Sequence, residues 1–139
     1  MGHAMTDLET WGTRPGSALR SLGAVGFDPR TGKTGAQFYR NISRESCERV
    51  GLLVDSETEK WWEDQSAEAR AALEPDQRPL TSVLSDFCQW WDANKFQFFW
   101  SHGANFDEVL LRCAFDAVGL DTPWAFWNVR CSRTVLALK

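Results

Sequence analysis

The chain has 139 residues, of which 43% are hydrophobic and 24% charged. That length suits one domain, and that composition excludes a disordered or collagen-like polymer. With 15 Lys plus Arg against 19 Asp plus Glu the formal net charge is −4, so no broad basic face is available to grip duplex DNA through many phosphates.

The N-terminus, MGHAMTDLET, lacks the apolar run of a signal peptide, and no apolar stretch reaches the roughly 18 residues of a membrane span. We therefore expect a cytoplasmic setting without membrane contact. The four cysteines, Cys47, Cys88, Cys113 and Cys131, form no CxxC pair and give no support to a zinc site. They are expected to be reduced thiols, with Cys88 and Cys113 buried on apolar helical stripes.

In chain order, His3 to Leu8 predicts a short first strand running into Asp7-Leu8-Glu9-Thr10. The Gly12-Thr13-Arg14-Pro15-Gly16 loop follows. In Ala18–Phe27, small and β-branched residues alternate and predict a buried second strand. Asp28-Pro29-Arg30-Thr31-Gly32-Lys33 is a turn signal, and Ala36–Ile42 resumes as a third strand, completing a meander. Helical texture begins at Ser43. Ser56 is a candidate cap for a helix carrying Trp61 and Trp62, and Ser66 opens a short helix through Leu73. After Pro79, apolar Leu80, Val83, Leu84, Phe87, Trp90 and Trp91 recur at helical spacing. Phe96–Trp100 reads as a buried central strand. Phe106–Val118 reads as a helix with Val109, Leu110, Cys113, Ala117 and Val118 inward, stopped by Gly119. Trp127–Leu138 reads as a connector into a last helix. The expected fold class is α/β, a mixed sheet that opens with a three-strand meander and is covered by helices.

Two acidic motifs carry chemistry. Asp7 and Glu9 lie at i and i+2 of a strand and so share one face. Two carboxylates side by side on an apolar strand repel unless a cation neutralises them, and hard oxygen ligands suit Mg²⁺ or Mn²⁺. Ser101-His102-Gly103-Ala104-Asn105-Phe106-Asp107 joins an apolar strand to a helix. That puts Asp107 near a strand's C-terminal end, where open α/β sheets hold ligands. The plainer alternatives are a solvated strand end for the first motif and a helix cap at Asn105 or Asp107 for the second.

Together these segments resemble the DEDD superfamily of 3′-5′ exonucleases. Asp7-Leu8-Glu9-Thr10-x-Gly12 is similar to its first motif, and Gly103-Ala104-Asn105-Phe106-Asp107 with Leu110-x-Arg112 to its second. Thr13-Arg14-Pro15-Gly16-Ser17-Ala18, Phe38-Tyr39-Arg40-Asn41-Ile42, Lys60-Trp61-Trp62 and Pro123-Trp124-x-Phe126-Trp127-Asn128-x-Arg130-Cys131 are similar to small exoribonuclease-type proteins of phages and mycobacteria. The resemblance spans nearly the whole chain and implies an RNase H-like domain over residues 1–139. By position it implies Asp7, Glu9 and Asp107 as catalytic metal ligands for two Mg²⁺ or Mn²⁺ ions, with Thr10 and Trp11 contacting the terminal nucleotide. The implied partners are an RNA or single-stranded DNA 3′ end and the nucleoside monophosphate product, with a homodimer as an admissible assembly.

The family's third motif, a His followed five positions later by an Asp on a final helix, does not occur. The chain holds only His3 and His102, and no acidic residue follows Asp121. We read this as a chain that stops in mid-helix ahead of the third motif; a natural inactive variant is the alternative. The competing function is accordingly a binding module that holds a nucleotide or RNA end without cutting it.

Other signals are weaker. Gly26 to Gly32-Lys33-Thr34 imitates a phosphate-binding loop, but five residues separate the glycines where four are needed, and a strand follows instead of a helix. The pairs Trp61-Trp62 and Trp90-Trp91 are candidates for base stacking, with one member of each expected in the core.

Overall fold

The computed structural model describes residues 2–138, with Ala104 and Asn105 described by their backbone alone. Three antiparallel strands come first: β1 (His3–Thr10), β2 (Leu19–Phe27) and β3 (Thr34–Asn41). The β2–β3 turn forms as the sequence predicts. Asp28 Oδ1 accepts from the Arg30 amide at 2.9 Å, and Gly32 adopts φ 78°, a left-handed conformation that glycine reaches without steric cost.

Helices follow: α1 (Arg44–Arg49), α2 (Ser56–Glu63), α3 (Ala67–Ala71) and α4 (Leu80–Ala93). Ser43 and Ser66 cap α1 and α3, accepting from the amides of Ser46 and Ala69. Then come β4 (Phe98–Ser101), α5 (Ala104–Val118), a single 3₁₀ turn at Phe126–Asn128, β5 (Val129–Cys131) and α6 (Ser132–Ala137). The sheet order is β3-β2-β1-β4-β5, with β4 and β5 parallel to β1. The mixed sheet with its opening meander agrees with the expected fold class.

The two faces of the sheet differ. One carries Ala4, Leu8, Leu22, Ala24, Phe38 and Phe99, and packs on Leu80, Val83, Leu84, Phe87 and Trp91 of α4 and Leu110, Leu111, Ala114 and Phe115 of α5. Trp124, 4% exposed, closes this core with its ring 4.4 Å from that of Phe99. The alternation of β1 turns His3, Met5, Asp7 and Glu9 to the other face. There His3 stacks on Phe98 at 4.7 Å, and Trp100 Nε1 donates to His3 Nδ1 at 3.0 Å.

Several expectations need correction. The central strand is β1, while β4 is one place from the edge and starts at Phe98. Strand β5 falls where only a connector was expected; three residues are too few to show a period. The inward stripe of α5 is Leu110, Leu111, Ala114 and Phe115, whereas Val109, Cys113, Ala117 and Val118 are half-buried. Burial of Asp107 and Glu108 rotates the helix away from its most apolar side. Among the cysteines Cys47 is the buried one, its thiol pushed up to about 11 by desolvation, while Cys88 and Cys113 are half-buried. Asp55, not Ser56, stands at the cap position of α2. The candidate cap at Asn105 lies outside the described side chains. No helix among the described residues is long and apolar enough to cross a membrane.

Candidate active site

The last turn of β1 assembles the site. Asp7 and Glu9 pair in register with Gly23 and Ser21 of β2, and an irregularity between Glu9 and Thr10 ends the regular ladder. Such a bulge lets one strand present an extra residue. Arg20 lies there, 4% exposed, with its guanidinium carbon 4.3 Å from the Trp11 ring and 4.7 Å from the Trp62 ring. It donates to Glu74 Oε1 at 3.3 Å. Trp62 Nε1 donates to the Thr10 carbonyl at 2.9 Å and ties α2 to the end of β1.

Asp107 arrives from the first turn of α5. Gly103 precedes that helix at φ 101°, in the left-handed region, and a Cβ there would sit 3.6 Å from the Arg133 guanidinium. The chain thus turns sharply from β4 into α5 and brings Asp107 towards the β1 carboxylates. Asp107 is 7% exposed. Burial first, then the charges of Asp7 and Glu9, push its carboxyl up to about 7. Glu9 is raised as well, by burial and then by Asp7, with Arg20 opposing. Asp7 acts on Glu9, and both act on Asp107, which places the three carboxylates within electrostatic reach of one another. Among the described residues no hydrogen bond or ion pair reaches the Asp107 carboxyl.

Among the described residues no group of three or more His, Cys, Asp or Glu stands in an arrangement that could hold a metal ion. The chemistry of the donor set suits a hard divalent cation: three carboxylates, one of them on a buried residue and shifted towards its neutral form by burial and then by the other two. Binding a cation would reverse that shift.

Beside Glu9 opens a cleft of about 530 Å³, lined by Leu8, Thr10, Thr58, Trp61, Trp62 and Phe106 among others. Thr10 forms part of its wall, but its hydroxyl already donates to the Gly12 carbonyl at 2.7 Å. Trp11 does not line the cleft; its ring lies under the guanidinium groups of Arg20 and Arg44. Of the tryptophan pairs, Trp62 and Trp91 are core, Trp90 is half-buried and Trp61 is 53% exposed at the cleft rim. Trp61 therefore keeps the stacking surface its pair was singled out for. Phe106, which the sequence marks as motif text and as the start of a helix, lines the cleft one residue before Asp107. Its adjacency to that carboxylate was the available signal. Arg20 gave no signal, because nothing in the local pattern announces the irregularity that places it.

Residues 2–139 match the 3′-5′ exoribonuclease Rv2179c-like domain. The chain belongs to this family. Members of it are described as 3′-5′ exoribonuclease domains, in keeping with the resemblance carried by both acidic motifs. Solved structures share its fold. The zinc-bound complex of Escherichia coli exonuclease I with single-stranded DNA aligns at TM-score 0.69 and 15% identity, over 96% of this chain and 28% of that one. A product-bound exonuclease I gives 0.68 and 15%, over 96% and 30%. The E. coli enzyme with a dT13 oligonucleotide gives 0.63 and 16%, over 86% and 24%. The family domain thus spans less than a third of the length of these exonuclease I chains. No curated protein gives a match.

Proposed function

We propose that the protein is a metal-dependent 3′-5′ exonuclease acting on the 3′ end of RNA or single-stranded DNA. The observation that carries this is the pair of carboxylates Asp7 and Glu9 on one face at the end of β1 beside an aromatic cleft, with Asp107 of α5 near enough for both to raise its carboxyl. Membership of the family and the shared fold support it.

Asp7, Glu9 and Asp107 would hold Mg²⁺ or Mn²⁺, two ions in a complete site, which supplies an activated water and neutralises charge on the leaving 3′ oxygen. The residues do the rest. Trp61 and Phe106 offer apolar ring surface to the terminal base, and Thr10 and Leu8 form the cleft wall at the foot of the carboxylates. Arg20 fixes the Trp11 and Trp62 rings and offsets part of the Glu9 charge. A chain of net charge −4 handles a polyanion on this basis because cations at the carboxylates, not a basic surface, meet the phosphate.

A second reading is a module that holds a nucleotide end without cutting it. The two histidines favour it: His3 accepts from Trp100, and His102 Nδ1 lies 2.9 Å from Ser132 Oγ. Neither is among the groups that shift Asp107 or Glu9, so neither of these two imidazoles is placed as a base for the carboxylates. The two readings separate on a 3′-labelled single-stranded oligonucleotide with Mg²⁺ or Mn²⁺. Stepwise loss of label that Asp7→Ala abolishes supports the exonuclease. Retained label, with a nucleoside monophosphate still bound, supports the module.

A further inference from the structure

Upstream of the carboxylates the sheet continues into a trough that the proposed function leaves unused. Asp7, Gly23 and Tyr39 stand in one row across β1, β2 and β3, since Asp7 pairs with Gly23 and Gly23 with Tyr39. Two strand spacings put Tyr39 about 10 Å from Asp7. Gly23 between them has no side chain, and a Cβ built there would meet Tyr39 Cδ2 at 3.5 Å. The tyrosine ring therefore flanks an open floor that leads to the carboxylates.

Two neighbouring hollows share lining residues along this line. One of about 340 Å³ is lined by Asp7, Glu9, Gly23, Tyr39 and Trp62. It shares Glu9 and Trp62 with the large cleft. The next, of about 350 Å³, shares Tyr39 and is lined by exposed Arg78. The order along the surface is cleft, carboxylates, Tyr39, Arg78.

An exposed aromatic is ordinary on a protein surface, and the 51% exposure of Tyr39 alone argues nothing. Its restraint does. Tyr39 Oη donates to Asn41 Oδ1 at 2.7 Å, and Asn41 Nδ2 donates to the carbonyls of Ala72 and Pro75 at 3.0 and 2.9 Å. The ring is fixed by a buried anchor while its face stays open, so ordering it on contact costs little. Aromatic rings of this kind hold unpaired bases without regard to sequence.

We propose that Tyr39 is the stacking platform for the nucleotide immediately upstream of the scissile phosphate, with Arg78 meeting a phosphate beyond it. This rests on the exonuclease or end-binding reading above and adds a second subsite to it. The protein would bind a 3′ end through at least two nucleotides, and a single nucleotide would fill only the cleft.

The test is binding rather than turnover. Fluorescence anisotropy with Mn²⁺ measures the affinity of a 5′-labelled hexa-adenylate whose 3′-terminal linkage is non-hydrolysable, and calorimetry measures that of AMP. Tyr39→Ala should weaken the hexamer about 5- to 100-fold, the range for loss of one stacked base, and leave AMP unchanged. Tyr39→Phe, which keeps the ring and loses the Asn41 bond, should stay within a few-fold of wild type. Equal hexamer affinity in wild type and Tyr39→Ala overturns the platform, and so does a matching loss for AMP and hexamer. Wild-type protein that binds neither ligand removes the underlying function as well.

Discussion

Asp107 and Glu108 are neighbours on α5 and equally buried, at 7% and 6% exposed, yet they face opposite circumstances. Glu108 accepts two hydrogen bonds from Arg112, at 3.1 and 3.0 Å, and a third from Trp124 Nε1 at 3.1 Å. It is a carboxylate built into the core, joining α5 to the ring that closes it. Asp107, one residue earlier, has no such partner among the described residues and is pressed towards its neutral form by burial and then by Asp7 and Glu9. A buried charge without a partner is costly. The contrast separates a carboxylate that is satisfied within the core from one that carries its charge beside two others.

The largest effect that sharpens this contrast is on activity. Asp107→Asn keeps the shape and removes the charge, so metal-dependent hydrolysis of a 3′-labelled oligonucleotide should fall by about 10²- to 10³-fold or more, the scale set by loss of one charge-stabilising group. Glu108→Gln should keep most of its turnover per folded molecule in the same assay. Equal losses in the two variants would erase the distinction.

Stability should respond in the opposite sense. Without metal, the raised Asp107 carboxyl means that the folded state holds its proton more tightly than the unfolded chain does. Its contribution is most favourable at low pH and is lost as pH rises from the ordinary 3.8 through about 7. At about 1.4 kcal/mol per unit, Asp107→Asn should stabilise the metal-free protein at pH 8 by about 2–4 kcal/mol. Little change is expected at pH 4. Urea denaturation at both values reads this out. Glu108→Ala should destabilise by about 2–3 kcal/mol at pH 8, since it leaves the buried Trp124 N–H without an acceptor.

The smallest effect concerns the cleft wall. Trp62→Phe keeps a smaller aromatic ring, loses the bond to the Thr10 carbonyl and leaves part of the buried indole volume empty, at a cost of about 2 kcal/mol. Thermal melts measure that cost. Nucleotide affinity should drop with it, because the same ring holds Arg20 and lines the cleft.

Much of this was legible in the sequence. Alternation in Leu19–Phe27 and the Asp28–Lys33 turn give the meander, and the spacing of Leu80 to Trp91 gives α4. Asp7 and Glu9 follow from strand period, and Asp107 from its place after an apolar strand. The rest depended on tertiary packing. The rotation of α5 that buries Glu108 needs Trp124, 16 residues on, to supply a donor. Tyr39 needs the register of β2 against both neighbours before it stands in line with Asp7. Arg20 needs the bulge. No local pattern contains those pairings.

The central claim is that Asp7, Glu9 and Asp107 form one divalent-cation site. Calorimetric titration of the protein with Mn²⁺ at pH 6 and pH 8, beside Asp107→Asn, tests it directly. The account predicts saturable binding that tightens at pH 8, as Asp107 gives up its proton, and that is lost in the variant. Absence of saturable binding at pH 8, or equal binding by the variant, would contradict it.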